Sequence, residues 1–211
     1  GVGVTCPGAM PRGQEASPAA CSHVGRGATL PGLMAFFEDL TPCSDPGEGG
    51  KPVLAVGWID HLHPYPRGHA SRRFVMRLVE LLEDPWQPRR SLGWHDCGLC
   101  RFTEGPRTFE LEGGPRVKLG TSNLFIPAYD RLYIAPSMMV HAVDAHGYGP
   151  PEEFQKAVLV CPPMRSPAYL SALRDVAPPW LLEAGPLPRL SPGARLRARS
   201  RRTVRLTGNR R

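Results

Sequence analysis

Two short motifs, forty residues apart, constrain this chain more than anything else in it. Gly93-Trp94-His95-Asp96-Cys97-Gly98-Leu99-Cys100 places one imidazole and two thiols within six residues, as H-x-C-x-x-C. His141 to His146 repeats an imidazole at H-x4-H spacing. Zinc sites take Cys and His in tetrahedral sets of four, and C-x2-4-C with H-x3-5-H is their usual pair of half-sites. The forty intervening residues are too many for a small finger, so any shared ion must staple a cysteine knuckle to a distant helix. On a straight helix, positions five apart point about 140° away from each other. Both histidines are therefore expected to bind only where the helix ends between them, and Gly147 offers such an end. His95 competes for a place. Cys97, Cys100 and His141 with either His146 or His95 are both open as ligand sets. A fourth protein ligand would make the site structural, whereas three ligands and a water would make it catalytic.

The simpler alternatives have their own weight. A lone C-x-x-C arises by chance, and its redox use expects a βαβ context that is missing here. His141 and His146 could be ordinary histidines near a helix end. His61, His63 and His69 surround Tyr65-Pro66-Arg67, which reads as a solvated Pro-rich loop or as an anion- or metal-binding one. Asp60, Asp96 and Asp144 could orient histidines or act as bases. Cys161 falls on an apolar stripe and reads as a small core residue. No P-loop, G-x-G-x-x-G, G-x-S-x-G or H-E-x-x-H motif occurs.

Composition divides the chain. Of 211 residues, 25 are Pro and 23 are Gly, and these concentrate toward the ends. Residues 1–33 have few large apolar side chains and cannot offset their ordering entropy. They are expected to be a disordered or non-native extension, with the natural start at or near Met34. Between Arg189 and Arg211 lie nine arginines and no acid, which leaves residues 34–188 at −3 of the chain's +7. The basicity therefore belongs to a Pro/Arg-rich tail, 178–211, expected to be disordered. A basic nucleic-acid face on the domain is not supported, although the tail could contact phosphates non-specifically through residues 189–211. The six cysteines are too sparse for a disulfide framework, and no run of eighteen apolar residues exists. With no signal peptide evident, a cytoplasmic protein with reduced thiols is expected.

Between the ends, the pattern predicts a single domain over 34–177. Val53–Ile59 is a near-continuous apolar run of strand length. Phe74, Leu78, Leu81 and Leu82 form a helical stripe within 71–83, stopped by Asp84-Pro85. Residues 108–112 and 116–119 alternate about Gly113-Gly114-Pro115 as a hairpin. Residues 123–126 and 131–134 suggest a second. Three helices follow: one from Pro136 through Ala145, one after Pro150-Pro151 carrying Phe154, Ala157, Val158 and Cys161, and one from Ser166 to Arg174. Segregated strands and helices favour an α+β fold: a small single domain with an antiparallel sheet, a Cys-containing knuckle and C-terminal helices.

PWQP (85–88), GWHDCGLC (93–100), TSNLFIP (121–127), LYIAPSMMVH (132–141), AHGYGPPEEF (145–154) and CPPMRSPAYL (161–170) resemble the blocks of an uncharacterised bacterial protein family, a domain of unknown function. MAFFEDLTP (34–42) and VGWIDHLHPYPRG (56–68) are similar to its N-terminal blocks. The resemblance covers roughly 34–174 and implies no activity. Three functions remain open. The first is a binding or regulatory module with structural zinc, the second a metal-dependent hydrolase-like enzyme with an open metal position, and the third a nucleic-acid binder acting through the tail.

Overall fold

A computed structural model describes residues 36–44, 50–88 and 94–184. The expectations for 1–33 and for the tail from 185 onward lie outside these residues. Along the chain, β1 (Pro42–Ser44) pairs antiparallel with β2 (Val53–Ala55). All three residues of β2 are buried, which explains an apolar run without alternation. The strand is shorter than the predicted 53–59. Gly57 adopts a positive φ of 76° and donates its N–H to Asp39 Oδ1 at 2.8 Å, so the chain leaves the sheet there.

The helical stripe forms α1 (Arg72–Glu83). Ser71 is extended and its hydroxyl accepts from the Phe74 N–H, satisfying an amide the helix cannot. Phe74 and Leu78 are fully buried, and Phe74 meets Phe154 edge-on at 6.3 Å. Burial of such side chains contributes about 1.5–3 kcal/mol each.

The two predicted hairpins both form. β3 (Thr108–Glu110) and β4 (Arg116–Lys118) make a separate two-stranded sheet with Phe109 opposite Val117. β5 (Asn123–Pro127) and β6 (Leu132–Pro136) pair antiparallel with Phe125 opposite Ile134. The four-stranded sheet has the order β1-β2-β6-β5, and its central pair, β2 and β6, is parallel. The sheet is thus mixed rather than purely antiparallel, because everything from α1 to β5 intervenes between its two middle strands.

Pro136 ends β6 instead of opening a helix. The Ser137 N–H continues the ladder to Ser122 O at 2.9 Å, and its buried hydroxyl accepts from the Gly120 N–H. The helix α2 (Met139–His146) starts only after this. It ends at Gly147, in the left-handed conformation at φ 63°. In α3 (Glu152–Val160), Glu152 and Glu153 occupy the first turn, where the helix dipole favours them. Arg77 Nη2 donates to the Cys161 carbonyl at that helix's other end. α4 (Pro167–Val176) begins as predicted, with the Ser166 hydroxyl accepting from the Tyr169 N–H, and runs two residues past Arg174. Tyr169 is buried and donates to Phe125 O at 2.9 Å, fastening α4 to β5. A further helix, α5 (Pro179–Ala184), extends the fold beyond residue 177 and buries Leu181.

Candidate metal centre

The knuckle sits between the ends of two loops. The Cys100 N–H donates to Cys97 O at 3.2 Å, closing the C-x-x-C turn. The Cys97 N–H donates to Glu104 O, and the His61 N–H donates to Gly98 O, so both flanking strands of chain grip it. The turn does not require Gly98 for a left-handed backbone. It requires Gly98 for space, since a β-carbon there would lie 2.9 Å from Ile59 O and 3.1 Å from the Asp60 backbone. Gly105 is constrained twice. Its φ is +80°, and a β-carbon on it would meet Cys97 Cβ at 2.7 Å.

Opposite the knuckle, α2 presents both of its histidines. The helix does not end between them, contrary to expectation, because His146 is its last residue. Their rings stand almost perpendicular, at 87°, with centroids 4.9 Å apart. The reach of two imidazoles overcomes the angular separation of their α-carbons. Nε2 of His141 lies 3.2 Å from Nε2 of His146. Cys100 Sγ lies 3.3 Å from His141 Nε2 and 3.4 Å from His146 Nε2, and Cys97 Sγ lies 3.5 Å from His146 Nε2. All four donor atoms fall within 4.8 Å of one another. A tetrahedral zinc ion, with Zn–S of 2.3 Å and Zn–N of 2.0–2.1 Å, would set S···N edges of about 3.6 Å and N···N edges of about 3.3 Å. The four separations of 3.2–3.5 Å lie within about 0.3 Å of those edges. Cys97, Cys100, His141 and His146 could therefore hold a metal ion.

Burial disfavours charge on Cys97 and on both histidines. Burial pushes the Cys97 thiol up to about 11, so it keeps its proton at neutral pH. Burial holds both imidazoles below the ordinary histidine value, helped at His141 by the neighbouring His146 and at His146 by Arg67. Neutral imidazoles are ready ligands, while the thiol needs a cation to expel its proton.

The other candidates go elsewhere. His95 is not among the four clustered residues. Its backbone N–H donates to Gly120 O and its ring stands edge-on to Trp58, with centroids 6.4 Å apart. Asp96 accepts from Arg107 at 3.0 Å, and Asp144 is exposed. Cys161 is buried and burial lifts its thiol to about 12, in keeping with a core role. Asp60 is buried, and its Oδ1 accepts from the Leu62 and His63 N–H groups and from His63 Nδ1. One contact had no sequence signal. The buried Tyr148 hydroxyl donates to Asp39 at 2.8 Å, tying the segment after α2 to the start of the domain across more than a hundred residues.

The fold and site define a small α+β domain built around a Cys2His2 cluster. The chain belongs to the family described as Domain of unknown function (DUF7919), whose model matches residues 35–159. That match spans both halves of the cluster and stops within α3. No curated protein and no solved structure matches the chain. Among the described residues, no helix is long and apolar enough to cross a membrane.

Proposed function

We propose that the domain binds one zinc ion through Cys97, Cys100, His141 and His146, and that the ion is structural. The observation that carries this is that four of the six edges among sulfur and nitrogen atoms drawn from two distant segments measure 3.2–3.5 Å. Two thiolates with two imidazoles suit zinc better than magnesium or calcium, which take oxygen ligands. Four protein donors close the coordination shell, and no carboxylate joins them. The domain then serves as a binding or regulatory module whose knuckle is locked to α2. The hydrolase alternative needs an open metal position and a free acid beside it. Against it, four protein donors would fill the shell, and Asp96 is engaged by Arg107. The tail proposed for nucleic-acid contact, 189–211, lies outside the described residues, and its removal would have to abolish salt-sensitive binding for that idea to stand.

The test is metal analysis of untagged protein. One equivalent of zinc is expected in the natural protein and in His95→Ala, and less than a tenth of that in Cys97→Ser and His141→Ala. Full zinc content in Cys97→Ser, or loss of zinc in His95→Ala with the fold intact, would overturn this ligand set.

A further inference from the structure

Beside the cluster, a cleft of about 510 Å³ opens between the loop 61–67 and the knuckle, and His146 forms part of its wall. Its charged lining is all of one sign. Arg67 and Arg101 both face it, and no Asp or Glu lines it. Neither arginine is in an ion pair with an acid among the described residues. The buried acid that precedes the loop, Asp60, already accepts three hydrogen bonds.

One of the two arginines is also held in place. Arg67 lies over the Tyr65 ring, 5.0 Å from its centroid. Its backbone bridges to Tyr148, and the Tyr65 hydroxyl donates to His146 O at 3.3 Å. The arginine is thereby fixed to the same stretch of chain that carries the last metal-site histidine. His61 Nδ1 donates to Gly98 O at 2.9 Å, and His63 Nδ1 donates to Asp60 while its ring stacks on Phe36 at 3.8 Å. Each histidine thus has its Nδ1 committed, and both rings flank the cleft. A guanidinium presents a planar fork of N–H groups that fits a carboxylate or phosphate, and neither of these two is paired with an acid among the described residues.

We propose that this cleft is a binding site for a small molecule bearing an oxyanion, phosphate or carboxylate, gripped by Arg67 and Arg101 with His61 and His63 at its sides. The cleft adjoins the metal centre through His146, but the two arginines that would grip the anion are not among the four metal-site donors.

Calorimetric titration of the metal-loaded full chain with inorganic phosphate, and separately with succinate, tests it and distinguishes the two anion classes. Saturable binding of at least one is expected. It should weaken tenfold or more in Arg67→Ala and in Arg101→Ala, and recover in part in Arg67→Lys. An Arg72→Ala/Arg73→Ala double variant alters a basic cleft elsewhere, at the start of α1, and should bind as the natural protein does. Both cleft arginines are exposed, so thermal unfolding of the variants should be unchanged, and metal content is measured alongside. No saturable binding of either anion would overturn the proposal. So would binding that survives both arginine substitutions, which would place the anion on the metal or on general surface charge.

Discussion

At the scale of single residues, the site is decided by proton balance and by space. Cys97 carries its proton at neutral pH because burial disfavours the thiolate, with its titration pushed up to about 11. A bound divalent ion reverses that preference, so loading the site must release this proton. Calorimetry of zinc binding at pH 7 in two buffers of different ionisation enthalpy should report at least one proton released per ion. Apparent affinity should rise with pH, because the competing proton is lost more easily. A heat independent of buffer would mean that Cys97 is not a ligand. Space is the second constraint. Gly105→Ala combines a φ of +80° with a β-carbon 2.7 Å from Cys97 Cβ. It should cost about 1–3 kcal/mol of stability and shift the denaturant midpoint of the metal-loaded protein downward. Gly113→Ala, also at positive φ but with nothing within 4 Å, isolates the backbone part of that cost.

At the scale of elements, the knuckle and α2 were legible because their ligand types and local spacings are themselves the signal. The geometry between them was not. Two histidines five apart on a helix look divergent from the α-carbons alone, and only the ring orientations bring both Nε2 atoms to one point. That His146 rather than His95 joins the cluster was equally hidden, because the His95 backbone is bonded to Gly120 and its ring stands against Trp58. The helices α1 and α4 were readable from their stripes and Ser caps. The three-residue β1 and the six-residue α5 were not, since elements so short carry too few residues to show a period. The parallel pairing of β2 with β6 also has no local signature. Because the ion would join two elements that share few direct backbone bonds, removing it should act locally. Chelation is expected to speed amide exchange at residues 97–105 and 139–147, while the β5–β6 ladder, fastened by five residue pairs, stays protected. Uniform loss of protection would instead mean that the ion holds the whole fold.

At the scale of the molecule, the family match and the folded core do not share a boundary. The match ends at residue 159, inside α3, yet α4 covers β5. Tyr169 and Leu173 are fully buried, Leu170 and Val176 nearly so, and the Tyr169 hydroxyl satisfies the Phe125 carbonyl. Four such side chains contribute about 6–12 kcal/mol of burial at roughly 1.5–3 kcal/mol each. A small domain's entire stability is about 5–15 kcal/mol. The family match alone is therefore expected to fall short of a folding unit in this chain. A version ending at Leu159 should be unfolded or aggregated, with β5 exposed. A version ending at Ala184 retains α4 and α5 and should unfold cooperatively. Tyr169→Phe separates packing from hydrogen bonding within that claim. It keeps the ring but leaves the buried Phe125 carbonyl without its donor, and should cost about 1–3 kcal/mol. Denaturant unfolding of the three variants, each loaded with metal, measures the contribution of α4. A stable, cooperative protein ending at 159 would show that α4 only rests on the core and does not complete it.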